Sequence, residues 1–451
     1  MRKPAFVSYC ATITIVAILF ITIPIVLGLL GDLSTRDSYL RSVVCFFILT
    51  IISSRVLLGK KYVRYYLAAF VVLTLLALTH FLILVEPHYF RGFGDAPLPF
   101  HSEYQNVFSN VGELIENRKI YGLFYYDDAT WSVTHPTIWR IISWPMTFLG
   151  HKWLNYSPLN VFASLLASMH VVLLYKNYTL KRDNNDGGFI SDRVIMFTTA
   201  YFPLWWFSDQ VWRDPMGVAL IAIGLAFISL SKSVFIKTIS SAIFIYFSYL
   251  QRIVYVVIAG TTIILKGVRI KKNAIRFFLI PLFAILWVYL IFYYGEHELE
   301  GYAGQMVNVM SFIALPLKIV FGMIGPFPWA QFLNTFSSEY SASFSFQLQD
   351  YFLGTFQLGY LFAVVANFKR ISFRDLDYMT IMGFGIMFAG FMTTMMHIDY
   401  IAEGTFFTIP WLFRQIGSKF WKYFGIAFLT LVLLNVFVMS FGISGISSMW
   451  R

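Results

Sequence analysis

The placement of charged residues between apolar runs constrains this chain more than any other feature. Apolar residues make up 58% of its 451 residues, and charged residues only 13%. Lys and Arg cluster in every second connection between the apolar runs, as in Lys60-Lys61 and Lys271-Lys272, whereas most Asp and Glu lie in the other connections. A chain that crosses a bilayer repeatedly keeps Lys and Arg in its cytoplasmic loops. The sequence therefore predicts a multi-pass membrane protein with a cytoplasmic N-terminus and an acidic outer face.

A membrane-spanning helix needs about 20 apolar residues. On this basis we expect an all-α polytopic protein with about 12 to 14 transmembrane helices, forming a single membrane domain over residues 1–451. The run after Met1-Arg2-Lys3 exceeds the apolar region of a signal peptide, so it is counted as the first span. The predicted spans lie near 5–30, 42–58, 65–86, 158–175, 194–208, 215–231, 236–250, 252–266, 277–295, 351–368, 378–396, 403–417 and 424–443. Two large outer loops remain, at 87–157 and 296–350.

Composition and short motifs exclude several classes of protein. The net charge of +11 is attributed to cytoplasmic loops beside anionic lipid headgroups, so no nucleic-acid partner is expected. Cys10 and Cys45 lie within apolar runs, which predicts free thiols. The chain has no GxxxxGK[ST], HExxH, CxxC or GxSxG motif, so an ATP-driven pump is excluded, and metalloprotease, redox and serine-hydrolase functions have no support. No cofactor is predicted. A divalent metal at Asp127-Asp128 is left open beside the alternative of a solvated turn.

The first outer loop carries a candidate catalytic group around Asp95, which follows Gly94. Arg91, His101 and Glu103 lie nearby in the sequence. A carboxylate just beyond the end of a span can act as a general base if burial raises its pKa. The alternative is a loop carboxylate that stabilises a turn or caps a helix. We therefore treat Asp95, His101 and Glu103 as candidate catalytic residues and Arg91 as a candidate substrate-binding residue.

Three further candidate substrate-binding residues lie just after the predicted spans 194–208 and 236–250. Arg213 lies in a short outer turn near three tryptophans, where a guanidinium suits bidentate phosphate binding. Asp214, before Pro215, either belongs to the same site or caps the next helix. Arg252 separates two short apolar segments, and either extends to lipid headgroups or faces a phosphate in a central cavity.

A last outer turn contains Asp399 and Glu403. Ionisable residues are costly within the membrane and usually serve a function there. These two carboxylates are candidate substrate-binding residues that could complete the cavity, and the alternative is that they only mark the membrane boundary.

The order of short motifs resembles that of the GT-C glycosyltransferase superfamily. Those motifs are Gly94-Asp95-Ala96 with His101, then His135-Pro136, Pro158-Leu159-Asn160, Arg213-Asp214-Pro215 and Pro326-Phe327-Pro328-Trp329. The resemblance covers mainly residues 87–230 and adds His135 as a candidate substrate-binding residue. The chain departs from the family in two ways: two extra spans precede the catalytic loop, and the late Arg-Tyr-Arg-like segment is absent. Its two large outer loops are also similar to those of Wzy-type O-antigen polymerases.

The resemblance implies a bacterial inner-membrane enzyme that transfers a sugar or oligosaccharide from polyprenyl phosphate or pyrophosphate at the periplasmic face. Polymerisation of O-antigen repeat units and addition of a single side-branch sugar both remain open, with polymerisation favoured. Partners would be the lipid-linked glycan, membrane lipids and other polysaccharide-assembly proteins. The alternative class is a flippase or transporter without chemistry, and the position of most charges at one face argues against it.

Overall fold

The structure is a computed structural model in which every regular element of the described residues is a helix. It describes residues 6–29, 35–80, 99–122, 125, 136–179, 214–267, 323, 343–369, 371, 376–392 and 398–440. The chain divides into two compact units. Unit 1 comprises residues 1–200 and 204–252, and unit 2 comprises residues 201–203 and 253–451.

Unit 1 is a bundle of α-helices in the part of the chain that the structure describes. The helices are α1 (Phe6–Gly28), α2 (Thr35–Leu58), α3 (Lys60–His80), α4 (Pro99–Tyr121), α5 (Pro136–Leu149), α6 (Tyr156–Thr179), α7 (Asp214–Leu230) and α8 (Val234–Gln251). Helix α6 forms the centre, since nearly all of its side chains from Tyr156 to Tyr175 are buried. It packs against α2, α3 and α7.

Side-chain contacts fix the direction of these helices. The Asn155 carbonyl, just before α6, accepts a 2.8 Å hydrogen bond from Ser42 near the start of α2. At the opposite end, Leu230 of α7 lies beside Leu57 and Leu173, near the ends of α2 and α6. Helices α2, α6 and α7 therefore run in the same direction. We call their common N-terminal end the Asn155 end of unit 1.

Helices α4 and α5 are amphipathic and lie outside the apolar spans. Helix α4 buries Val111, Leu114, Ile115 and Arg118, which have the spacing of one helical face, and exposes Glu113, Glu116 and Lys119 on the other. Helix α5 buries Ile138, Ile142, Met146 and Leu149 with a similar spacing. The two helices pack on each other, and α5 also packs against the C-terminal half of α1. This arrangement places α5 at the Asn155 end.

Unit 2 contains α9 (Ile253–Gly267), α10 (Ser343–Ala366), α11 (Tyr378–Met392), α12 (Ile398–Ile416) and α13 (Phe420–Ser440) among its described residues. Helices α11 and α12 form the closest pair. A Cβ built on Gly383 would lie 2.7 Å from the Gly404 carbonyl oxygen, and a Cβ on Gly404 would lie 2.6 Å from the Gly383 carbonyl oxygen. Only glycine at both positions lets the two backbones approach this closely.

The described residues include five helices that are long and apolar enough to cross a membrane: Phe6–Gly28, Asp37–Leu58, Lys60–Thr79, Tyr156–Asn177 and Val234–Gln251. A sixth is reached if α12 and α13, bent by 120°, count as one span. The prediction of a multi-pass helical membrane protein is confirmed. The predicted spans 194–208 and 277–295, and most of the two outer loops, lie outside the described residues.

Several finer predictions can be compared with the structure. Cys10 and Cys45 are free, as predicted. Helix α2 begins at Thr35, seven residues before the predicted span, because its polar first turns still form helix. The single membrane domain stays a prediction, as does the cytoplasmic position of the N-terminus.

Candidate functional site

A buried carboxylate forms the centre of a polar cluster at the Asn155 end of unit 1. Asp214 is the first residue of α7 and is 2% exposed. Its Oδ1 accepts a 2.5 Å hydrogen bond from Gln251 Nε2 and lies 3.3 Å from Arg252 Nη2. The Asp214 side chain is 3% exposed and that of Arg252 is 17% exposed, so this ion pair is largely removed from solvent.

The cluster forms because the C-terminal end of α8 lies beside the N-terminal end of α7. Helix α8 stops at Gln251, because Arg252 adopts an extended conformation with φ −159° and ψ 142°. Gly217, one turn into α7, leaves room for the Gln251 side chain, which a Cβ at this position would overlap. The two helices therefore approach closely enough for Gln251 to reach Asp214. Asp214 thus lies at the start of α7 and contacts Arg252, and its part in substrate binding stays a prediction.

Unit 2 contains its own buried carboxylate. Glu403, in the second turn of α12, is 3% exposed, and its Oε2 accepts a 2.5 Å hydrogen bond from the Tyr255 hydroxyl in the first turn of α9. Tyr400 packs edge-on against Tyr255, with ring centroids 5.5 Å apart. These contacts hold the start of α9 against α12.

The opposite end of unit 2 carries a structural ion pair. Arg414 Nη2 lies 2.8 Å from Asp377 Oδ2, and Asp377 Oδ1 accepts a 2.8 Å hydrogen bond from the Thr380 backbone N–H at the start of α11. Lys266 donates to the Leu376 carbonyl oxygen at 2.7 Å. These contacts fasten the ends of α9, α11 and α12, so we assign them to stability.

Asn155 fastens α5, α6 and α2 together at the Asn155 end. Its Nδ2 donates to Ser38 Oγ at 3.2 Å, the Leu149 carbonyl oxygen at 3.2 Å and the Gly150 carbonyl oxygen at 2.7 Å. Three acceptors share its amide group, so the connection from α5 to α6 is closely held. Asn155 begins an Asn-Tyr-Ser sequon, and here it is a buried structural residue.

His151 lies between α4 and α6 at the same end. Its ring stacks on Phe108 with centroids 3.9 Å apart, and its Nδ1 lies 2.8 Å from the Tyr156 hydroxyl. Burial lowers the pKa of His151 to about 4, because the imidazolium form would lose its hydration. The ring is therefore neutral at pH 7 and serves as a packing and hydrogen-bonding group.

The structure describes only part of the predicted site. Asp214 and Arg252 are brought together in unit 1, and Glu403 is buried in unit 2 beside Tyr255. His101 and Glu103 fall in α4 and Asp399 in α12, with side chains outside the described residues. The other candidates lie outside the described residues altogether: Arg91, Asp95, His135 and Arg213.

Sequence reasoning missed several polar residues that the structure places in contact. Gln251 and Tyr255 have no distinctive signal in the sequence, because Gln251 only ends an apolar segment and tyrosine is common in this chain. Arg118 lies seven residues after Val111, and this spacing is the signal that could have placed it on the buried face of α4. No group of three or more His, Cys, Asp or Glu residues suited to holding a metal occurs within the described ranges.

Comparisons with known proteins give no relative on which to base a function. No family model, curated protein or solved structure matches this chain.

Proposed function

We propose that the protein is an integral-membrane glycosyltransferase that uses a sugar or oligosaccharide carried on polyprenyl phosphate or pyrophosphate. Its role would be to polymerise repeat units of a bacterial surface polysaccharide at the periplasmic face of the inner membrane. The observation that carries the proposal is the Asp214–Gln251–Arg252 cluster, a positioned guanidinium at the end of a membrane bundle.

Arg252 suits the leaving phosphate in this reaction. Asp214 and the end of α8 fix its position, and its side chain retains 17% exposure. A guanidinium in a poorly hydrated site stabilises negative charge that develops on a departing phosphate more strongly than it would in water. Asp214 is occupied by its two donors, so its part is to orient Arg252 rather than to react.

The proposed reaction is a substitution at the anomeric carbon. An acceptor hydroxyl forms the new C–O bond, Asp95 takes the proton, and the bond between the anomeric carbon and the phosphate oxygen breaks. Arg252, with Arg213 and Arg91, would neutralise the departing phosphate. Asp95, Arg213 and Arg91 enter from the sequence and the resemblance alone.

The distribution of buried ionisable groups favours an enzyme over a flippase. A carrier of a charged headgroup needs polar groups along a path through the bilayer. In the described part of unit 1, Asp214, Arg252, Arg118 and His151 all lie toward the Asn155 end. Two groups depart from this pattern among the described residues. His170 lies within α6, with its Nδ1 2.8 Å from the Leu166 carbonyl oxygen of its own helix. Half-buried Lys176 lies near the opposite end of α6, with its Nζ 3.3 Å from the centre of the Tyr62 ring.

Deletion and complementation in the native bacterium test the proposal. Loss of the gene should collapse the lipopolysaccharide ladder to core plus one unit, and plasmid-borne wild type should restore it. Arg252→Gln should fail to restore the ladder, whereas Arg64→Gln, which changes an exposed arginine of α3, should restore it fully. An intact ladder with altered mass per repeat would instead indicate the side-branch transferase. No change in either property would reject a transferase function.

A further inference from the structure

Arg118 is a buried cation whose described neighbours include no carboxylate partner. It lies in the last turn of α4 and is 6% exposed. Its Nη1 donates to Ser143 Oγ at 2.9 Å and Thr147 Oγ1 at 3.3 Å, and its Nη2 to the Arg140 carbonyl oxygen at 3.4 Å. All three acceptors are neutral oxygens of α5. Hydroxyl and carbonyl dipoles offset the loss of hydration only in part, so the site favours an added negative charge.

The side of the guanidinium that best binds an oxyanion is largely unused. Nε and Nη2 form the edge that grips two oxygens of a carboxylate or phosphate. Within the described residues, Nε is buried without a hydrogen-bond partner, and Nη2 has only the 3.4 Å contact. One face of the group lies 5.7 Å from the centre of the Trp144 ring, which holds the plane in place.

The charges around Arg118 strengthen this preference. Burial, and to a lesser extent the nearby Arg140 guanidinium, lowers the pKa of Arg118 to about 10. Helices α1, α5 and α6 contain no Asp or Glu. On α4 itself, Glu116 is exposed and pairs with Lys119 at 2.6 Å, away from the buried face.

The position of α5 indicates how an anion would arrive. Trp144 Nε1 lies 3.4 Å from the Ile21 carbonyl oxygen. A Cβ built on Gly28, at the end of α1, would lie 2.7 Å from the Phe148 carbonyl oxygen. Helix α5 thus lies beside the last turns of α1, at the depth where tryptophans and amphipathic helices meet lipid headgroups. A phosphate at that depth is normally attached to a lipid.

We propose that Arg118, with Arg140 beside it, binds the phosphate group of a lipid between α4 and α5 at the Asn155 end. The ligand chemistry is a lipid-borne phosphomonoester or phosphodiester, supplied by a bilayer phospholipid or by a polyprenyl-phosphate carrier. The site is separate from the Asp214 cluster in its residues, and it does not depend on glycosyl transfer.

Native mass spectrometry of the purified full-length protein tests this site. The probes are phosphatidylglycerol, polyprenyl phosphate and an uncharged glycolipid, each titrated in detergent. We expect the wild type to bind at least one phosphate lipid more tightly than the glycolipid, and Arg118→Gln to weaken that binding by about tenfold or more. Lys119→Gln removes the same charge from the next, exposed residue and should leave the affinity unchanged.

Comparison of phosphatidylglycerol with polyprenyl phosphate identifies the source of the phosphate. Selective loss of phosphatidylglycerol binding in Arg118→Gln assigns the site to bilayer phospholipid, and selective loss of polyprenyl phosphate binding assigns it to the carrier. Equal binding by Arg118→Gln and wild type overturns the proposal, as does equal weakening in Arg118→Gln and Lys119→Gln.

A measurement on the wild type alone keeps the proposal testable if Arg118→Gln does not fold. Phosphate lipids should raise the melting temperature of the protein more than the uncharged glycolipid does. Equal melting temperatures in all three lipids would overturn the proposal. The Arg118→Gln comparison measures binding without transfer, so its failure would leave the proposed glycosyltransferase function untouched. Equal melting temperatures of the wild type with polyprenyl phosphate and glycolipid would count against both proposals.

Discussion

Removing the Asp214 carboxylate should show how much the contacts at the start of α7 contribute to the free energy of unfolding. Asp214→Ala leaves Arg252 without the acid it faces at 3.3 Å and removes the acceptor of the Gln251 amide. Breaking a buried ion pair on one side costs about 3 to 5 kcal/mol, mostly because the other charge stays buried and unpaired. Arg252 retains 17% exposure and can reach water in part, so we expect about 3 kcal/mol.

The double variant Asp214→Ala/Arg252→Ala separates this cost into its parts. With both charges gone, only the Gln251 hydrogen bond to a charged acceptor is missing, which is worth about 1.5 to 3 kcal/mol. We therefore expect the double variant to be more stable than Asp214→Ala by about 1 kcal/mol. Asp214→Asn, which keeps an acceptor for Gln251, should fall between Asp214→Ala and the wild type.

Unfolding of the purified protein by denaturing detergent, followed by circular dichroism, measures these differences. The wild type, Asp214→Ala, Arg252→Ala and the double variant form a double-mutant cycle, from which the coupling energy between the two side chains follows. Our reasoning would be refuted if the double variant were less stable than Asp214→Ala by the full cost of Arg252→Ala alone. That result would mean that the two groups act independently.

Three further variants test the packing and the pH dependence. Gly217→Ala should displace the Gln251 side chain and cost about 1 to 3 kcal/mol in thermal unfolding, since a hydrogen bond to a carboxylate is lost. Gly404→Ala should push its Cβ against the Gly383 backbone and cost about 1 to 3 kcal/mol. His151 has a folded-state pKa of about 4, below its unfolded value, so its contribution is complete above pH 6.5 and is lost as the pH falls toward 4. Lowering the pH from 7 to 5 should destabilise the wild type by up to about 2 kcal/mol more than His151→Phe, as measured by melting temperature.

Matched controls decide each of these cases. Gly425 has open space around a built Cβ, so Gly425→Ala should be neutral or slightly stabilising, and an equal loss there would show that any helical Gly→Ala change is harmful. A His151→Phe protein that loses as much stability as the wild type between pH 7 and pH 5 would assign the pH dependence to other groups.

The sequence predicts the helices better than it predicts their polar contacts. Apolar runs near 20 residues and the alternation of charge sign locate α1, α2, α3, α6 and α8, because the bilayer constrains both length and charge. The stripe of α4 is likewise visible in the spacing of Val111, Leu114 and Ile115.

Side-chain partners depend on how helices distant in sequence pack. Asp214 and Arg252 are 38 residues apart, and Tyr255 and Glu403 are 148 apart, so no local pattern reveals either contact. The burial of Arg118 is not evident from the sequence, because an arginine on the apolar stripe of a helix is unusual. Its position only becomes informative once α5 is placed against that stripe.

Reconstitution with a defined substrate tests the central proposal most directly. Purified protein in liposomes would receive a polyprenyl-pyrophosphate-linked oligosaccharide, and the products would be separated by mass. The proposed function predicts longer glycans together with released polyprenyl pyrophosphate, both strongly reduced in Arg252→Gln and unaffected in Arg64→Gln. Unchanged substrate that has moved to the other leaflet would contradict a transferase and identify the protein as a flippase.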